Sequence, residues 1–198
     1  MTLPAAAEVS PLVLPLELGP HRCADYLELP DEPRYELLYG RFYVSPAPTV
    51  LHQVLVTLLA RLLDEIAEAS GGLALVAPVD VVLADHSVVQ PDVVYIGRSR
   101  RAVAAERIEG APSLVIEVLS KGTTRRDRGE KLRLYAESGI QEYWIVDVDE
   151  RQIEFLVNRD GDFVVVLPAG RDYRSPALPE IHLDLLELWA AVDRRIDG

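Results

Sequence analysis

The hydrophobic positions of the chain predict one long amphipathic helix. In "VLHQVLVTLLARLLDEIAEASGG" (residues 50–72) apolar side chains recur every three or four residues, and two glycines end the pattern. Similar but shorter patterns predict three further helices, at residues 21–30, about 124–138 and 184–195. The long helix therefore provides an apolar face that a sheet or another helix must cover.

Runs of β-branched and other apolar residues predict the strands. The segment "YELLYGRFYVSPAP" (residues 35–48) predicts a hairpin that turns at Tyr39 and Gly40. Further strand-like runs follow at residues 73–84, 88–97, 113–120, 142–148, 151–158 and 162–168. Because helices interrupt a mostly β series, the pattern predicts an α/β fold with a mixed sheet. We expect an N-terminal arm over residues 1–20 and a single domain over residues 21–198.

Length and composition narrow the class of protein. The chain has 198 residues, of which 49% are hydrophobic, as is typical of a globular domain with a sizeable core. No apolar run reaches the roughly 18 residues of a membrane-spanning helix, so a membrane is not expected as a partner. Cys23 is the only cysteine, which excludes an intramolecular disulfide and favours a cytoplasmic location.

Charge is distributed unevenly along the chain. The net charge of -12 argues against a protein that coats nucleic acid with its whole surface. Residues 98–133, however, hold ten of the twenty Lys and Arg residues and only five acidic residues. This basic segment fits either a phosphate-binding patch or an ordinary solvated face.

Two carboxylates lie inside apolar, strand-forming runs. Glu117 has aliphatic neighbours on both strand faces, which predicts a central strand covered on both sides. Asp92 lies in a similar run, and Pro91 before it indicates a sheet edge or a bulge. An unpaired buried carboxylate is costly. Either each acid pairs with a nearby arginine, or the two converge on a hard divalent cation such as Mg²⁺ or Mn²⁺.

The other candidates for chemistry are weaker. Lys131 follows Asp127 by four positions on the predicted helix, a spacing typical of an exposed salt bridge. It takes part in chemistry only if that helix packs over the sheet beside Glu117. The four histidines lack metal-ligand spacing. His52, near the start of the long helix, could approach the site, but a capping or surface role is expected. Aromatic side chains of the C-terminal half, such as Tyr135, are expected in the core or an interface.

Three motifs in order carry a resemblance to a known family. They are "QPDVVYIG", "SLVIEVLS" and "GTTRRDRGEKLRLYAESGIQEYWIVD". Together they resemble the PD-(D/E)xK nuclease superfamily and, more closely, the Uma-two-type family of restriction endonucleases. The resemblance extends from about Tyr35 to Trp189. It implies a restriction-endonuclease-like mixed β-sheet flanked by helices.

The resemblance also implies a set of acidic site residues. The family's Pro-Asp motif falls on Asp92, and the acid of its (D/E)xK motif falls on Glu117. Asp92, Glu117 and the carbonyl of Val118 would then bind Mg²⁺ or Mn²⁺. Glu36 matches an N-terminal acid that often joins the site in such nucleases.

The lysine of the motif is the point at which this sequence departs from the family. Two positions after Glu117 the chain has Leu119, not lysine. The resemblance then implies that Lys131, on the following helix, takes the lysine role. Lys121 is the alternative.

The function implied by the resemblance is metal-dependent hydrolysis of phosphodiester bonds by an endonuclease. DNA is the expected substrate, and a homodimer or higher homo-oligomer the expected assembly. Arg125, Arg126 and Arg128 would hold flanking phosphates. A lost lysine would also suit a catalytically inactive module that binds nucleic acid or a protein partner. A purely structural or oligomeric protein is the third hypothesis.

Overall fold

The first hairpin turns through a backbone conformation that few residues adopt. In the computed structural model, which describes residues 17–120 and 122–196, Tyr39 and Gly40 have φ angles of 49° and 77°. A two-residue hairpin turn of this kind requires positive φ at both positions. The predicted turn at Tyr39 and Gly40 is therefore confirmed. Residues 1–16 of the predicted arm and the alternative Lys121 lie outside the described residues.

The helices lie where the sequence pattern predicts them, with small shifts at their ends. Over the described residues the α-helices are α1 (Cys23–Leu27), α2 (Val50–Ser70), α3 (Thr124–Arg126), α4 (Leu132–Glu137) and α5 (Leu185–Ile196). A 3₁₀ helix spans Arg98–Val103, and a π-helical turn, Asp127–Lys131, joins α3 to α4. The helix predicted at 124–138 is thus confirmed, but its backbone widens in the middle.

The strands form two main sheets and a short ribbon. They are β1 (Tyr35–Leu38), β2 (Arg41–Val44), β3 (Leu73–Val76), β4 (Val81–Ala84), β5 (Ser87–Val89), β6 (Val93–Ile96), β7 (Ile108–Glu109), β8 (Leu114–Val118), β9 (Glu142–Asp147), β10 (Gln152–Arg159), β11 (Asp162–Val166), β12 (Asp172–Arg174) and β13 (His182–Asp184). The five-stranded sheet has the order β2-β1-β5-β4-β7, and the six-stranded sheet has the order β11-β10-β9-β8-β6-β3. Strands β12 and β13 form the ribbon.

Strand β8 is central in the six-stranded sheet. It pairs parallel to β9 and antiparallel to β6. Leu114, Ile116 and Val118 belong to a cluster with α2 and α5 on one face. Val115 and Leu119 belong to a cluster with α4 and the five-stranded sheet on the other. The predicted central strand, and the predicted mixed sheet flanked by helices, are confirmed.

Two segments predicted as single strands each form two strands in different sheets. The run 73–84 divides into β3 and β4 around Pro78, and the run 88–97 divides into β5 and β6 around Pro91. The prediction of continuous strands is wrong here because proline has no backbone N–H to donate to a sheet. Asp92 therefore lies where the chain passes from one sheet to the other, not at a bulge within one strand.

Helix α2 is held at both ends by the chain around it. The Thr49 side chain accepts a hydrogen bond from the backbone N–H of His52 at 3.2 Å and caps the N-terminus. Gly71, with φ 77°, donates its N–H to the carbonyl of Ala67 and ends the helix.

Within residues 17–120 and 122–196, none of the helices has the length and apolar character that a membrane span requires.

Candidate active site

Four predicted site residues meet at one small cavity. Glu36 comes from β1, Asp92 from the crossing between the sheets, Glu117 from β8, and Lys131 from the π-helical turn. All four line a cavity of about 40 Å³, which His52 also lines. A cavity of this size has room for a few water molecules or an ion. The site is therefore assembled from both sheets and a helix.

Lys131 is the centre of a buried ion-pair cluster. Its Nζ lies 2.8 Å from Glu36 Oε1, 2.8 Å from Glu117 Oε1 and 3.7 Å from Asp127 Oδ1. Only 3% of Lys131 is exposed, and Asp127 is equally buried. The helix thus packs over the sheet beside Glu117, and Lys131 is not the exposed salt-bridge partner that its spacing suggested.

The charges of this cluster do not balance. Burial alone would lower the pKa of Lys131, but Glu117, Glu36 and Asp127 together outweigh it and hold that pKa above its ordinary value. Burial raises the pKa of Glu117 well above its ordinary value, against the opposing effect of Lys131. Burial also raises the pKa of Asp127. The lysine is therefore a permanent cation among more carboxylates than it can neutralise.

Tyr135 supports Glu117 from α4. Its hydroxyl donates to Glu117 Oε1 at 2.7 Å, the same oxygen that Lys131 Nζ approaches. Burial raises the pKa of Tyr135 well above its ordinary value, so the phenol keeps its proton and remains a donor. Both donors hold Oε1, and Oε2 of Glu117 accepts no hydrogen bond from the described residues.

Asp92 has a different pair of partners. The backbone N–H of Val118 donates to Asp92 Oδ2 at 2.8 Å, and Nε2 of His52 lies 3.2 Å from the same oxygen. Neither Asp92 nor Glu117 is paired with an arginine among the described residues. The explanation in which each acid pairs with a nearby guanidinium is therefore wrong.

Three residues of the site were not assigned to it by the sequence. They are His52, Tyr135 and Asp127. The expected capping or surface role of His52 is wrong, because its side chain is only 10% exposed and lies against Asp92. The i,i+4 spacing predicts Asp127 beside Lys131, but as an exposed pair and not at a buried site. No spacing rule relates His52 to Asp92, which lies forty positions away.

The three arginines predicted to hold phosphates have different surroundings. Arg126 lies nearest the cavity, with Nη1 3.7 Å from Glu36 Oε2 and its guanidinium 4.2 Å from the centre of the Tyr43 ring. Arg125 is exposed and has no ion pair among the described residues. Arg128 already pairs with the carboxylates of Glu154 and Asp147 on β10 and β9. Arg125 and Arg126 are therefore better placed than Arg128 to receive an anion.

Comparison with known families supports the grouping that these motifs indicate. The profile of the Uma2 family, described as "Putative restriction endonuclease", matches residues 23–186. The chain belongs to the Uma2 family. Asp92, Glu117 and Lys131 all lie within the matched part of this Uma2 chain.

Two proteins illustrate how far the similarity extends. A crystal structure titled a "putative nuclease belonging to DUF820", from Anabaena variabilis, superposes on this Uma2 chain with a TM-score of 0.75. It covers 87% of this chain and 99% of that one at 20% identity, which shows a shared fold. An uncharacterized protein of Synechocystis sp., slr1290, is 42% identical over 57 residues. That match spans 28% of this chain and 30% of the relative's length.

The residues of the site fit a divalent metal ion of the kind used by restriction-endonuclease-like proteins. Mg²⁺ is commonly bound by one or two protein carboxylates and keeps several waters. Asp92 and Glu117 are two such carboxylates, and one oxygen of each accepts no hydrogen bond from the described residues. The surplus of buried negative charge also favours a cation. Residues 17–120 and 122–196 contain no group of three or more His, Cys, Asp or Glu side chains that could hold a metal ion. The Uma2 site thus offers two carboxylates to a divalent ion.

Proposed function

We propose that this protein is a metal-dependent endonuclease that hydrolyses phosphodiester bonds, with DNA as its substrate. The observation that carries the proposal is the meeting of Asp92, Glu117 and Lys131 at one cavity. Membership of the Uma2 family and the fold shared with a protein titled a nuclease support it. The homodimer or higher oligomer and the cytoplasmic location stay predictions.

Asp92 and Glu117 would hold Mg²⁺ or Mn²⁺, and the carbonyl of Val118 would complete the protein's share of the ligands. A bound ion of this kind supplies a water of lowered pKa and offsets charge that develops on the phosphate. The protein's own contribution is to fix both carboxylates in position. Tyr135 and Lys131 do so for Glu117, and the Val118 N–H does so for Asp92.

Lys131 would act as a cation and a hydrogen-bond donor, not as a base. Its raised pKa keeps the ammonium protonated at neutral pH. Its Nζ donates to Glu117 Oε1 at 2.8 Å and lies 2.8 Å from Glu36 Oε1, and an ammonium has three protons, so it can also donate to a water or a phosphate oxygen. Glu36 would position Lys131, because the Gln90 N–H donates to its Oε1 at 2.9 Å and Arg126 lies near its Oε2, and these two contacts fix the carboxylate.

A catalytically inactive module that binds nucleic acid or a protein partner is the second candidate. The departure at Leu119 and the near-complete burial of Lys131 favour it, because a lysine held by two carboxylates can also serve stability alone. The two candidates differ in one measurable property, which is turnover of a phosphodiester substrate.

The test is cleavage of supercoiled plasmid DNA with added Mg²⁺ or Mn²⁺, with RNA and single-stranded DNA as parallel substrates. Glu117→Gln keeps an acceptor for Tyr135 and removes the charge, so we expect the rate to fall by about 10²-fold or more. Glu65→Gln, on the exposed side of α2, is the matched control and should cleave like the wild type. Equal behaviour of wild type and Glu117→Gln with either metal would refute the enzymatic proposal and favour the inactive module.

A further inference from the structure

His52 is the one buried histidine of the described residues, and the N-terminus of α2 places it at the cavity. Its backbone N–H is held by the Thr49 side chain at 3.2 Å. The side chain follows the buried face of α2 that continues through Leu55, Val56 and Leu59. Only 8% of the residue is exposed. The imidazole is therefore fixed from the helix side and directed towards the cavity it lines.

Both close contacts of Asp92 reach the same oxygen. His52 Nε2 lies 3.2 Å from Oδ2, and the N–H of Val118 donates to Oδ2 at 2.8 Å. Oδ1 accepts no hydrogen bond from the described residues. A carboxylate with one oxygen fixed twice cannot rotate without losing both contacts, so the other oxygen keeps a constant direction.

The second ring nitrogen of His52 is also informative. Nδ1 is buried and has no hydrogen-bond partner among the described residues. A bare nitrogen lone pair is easier to bury than an unpaired N–H, which leaves Nε2 as the ring nitrogen that faces a polar partner, Asp92 Oδ2, at 3.2 Å. Because no other group competes for the ring, its orientation is set by Asp92 on one side and by α2 on the other.

We infer that His52 is a positioning residue that fixes Asp92 and so sets the affinity of the site for its divalent ion. This rests on the metal-dependent function proposed above. Residues that hydrogen-bond a metal ligand orient it, and their loss typically weakens metal binding by about 10–100-fold. The alternative is that His52 only anchors the start of α2 to the sheet, in which case its loss would reduce stability and leave metal affinity unchanged.

Mn²⁺ binding to the full chain without nucleic acid, measured by electron paramagnetic resonance of free Mn²⁺, separates these roles. His52→Phe keeps a ring and removes the donor, so the Kd for Mn²⁺ should rise by about 10–100-fold. His52→Gln places an amide N–H near the former Nε2 and should recover most of the affinity. His182→Phe, the same substitution at an exposed position on β13, is the matched control and should bind Mn²⁺ like the wild type.

Thermal unfolding in metal-free buffer accompanies each titration. Unchanged Mn²⁺ affinity in His52→Phe, with the wild type binding normally, would overturn the inference and leave the proposed function intact. If His52→Phe lowers both the Mn²⁺ affinity and the stability without metal, and His52→Gln does not restore the affinity, His52 only anchors the helix. That result would also overturn the inference. A wild type that binds no Mn²⁺ would refute the metal-dependent function itself, and the inference with it.

Discussion

Replacing Lys131 by Met tests the buried charge cluster most directly. The methionine fills much of the same space and removes the only ammonium between Glu36 and Glu117, each 2.8 Å away, and near Asp127, at 3.7 Å. Removing one partner of a buried ion pair typically costs about 3–5 kcal/mol, because the remaining charge is left unpaired. Total stabilities of domains are about 5–15 kcal/mol. We therefore expect Lys131→Met to lose a large part of the free energy of unfolding.

The assay is urea denaturation at pH 7 in metal-free buffer, followed by tryptophan fluorescence, to which the fully buried Trp144 contributes. Arg61→Met is the control, because Arg61 and Glu65 form an exposed ion pair, 72% and 63% accessible, with the same i,i+4 spacing as Asp127 and Lys131. Such a pair contributes about 0.3–0.5 kcal/mol. A loss below about 1 kcal/mol in Lys131→Met, with an unchanged slope against urea, would show that the cluster is not desolvated as described.

Two further predictions concern groups away from the cavity. Burial raises the pKa of Glu142 above its ordinary 4.5, although three side chains donate hydrogen bonds to it. The folded state then retains a proton that the unfolded state has released. As the pH rises from 4 to 7, the free energy of unfolding of the wild type, measured with urea, should therefore fall relative to that of Glu142→Gln by up to about 1.4 kcal/mol per pH unit. A rise over the same range would contradict this. Gly40→Ala should destabilise the folded state by about 1–3 kcal/mol, because residue 40 has a positive φ. The new Cβ would also lie 2.3 Å from the Gly19 carbonyl oxygen, which adds to this cost. A melting temperature equal to that of the wild type would contradict the prediction.

The sequence predicts elements better than it predicts which sheet they join. Hydrophobic periodicity gave the long helix α2 and the central strand around Glu117, since both depend on local patterns. The runs containing Pro78 and Pro91 were assigned as continuous strands, because periodicity does not show that a chain changes sheets. The sequence does not predict the π-helical turn either, because the composition of residues 127–131 is that of an ordinary α-helix.

Site residues could be predicted where they lie inside a motif. Glu117 and Asp92 can be predicted as site residues because a carboxylate in an apolar strand needs a partner. Lys131 depended on the resemblance to a family, since spacing alone suggested an exposed pair. The sequence predicts a capping or surface position for His52, because its contact with Asp92 forms only after α2 packs against the segment that crosses between the two sheets. Contacts of this kind are set by tertiary packing and leave no local signal.

The division of the chain between the two sheets determines how the acidic groups are spaced. Glu36 is carried by one sheet and Glu117 by the other, so neither half of the molecule holds the complete set of polar groups. The distance between these acids depends on how the two sheets pack against each other through aliphatic side chains such as Val89 and Val115. Removal of one methyl group from that layer, remote from every charged atom, would therefore shift the acids relative to one another without changing the acids themselves.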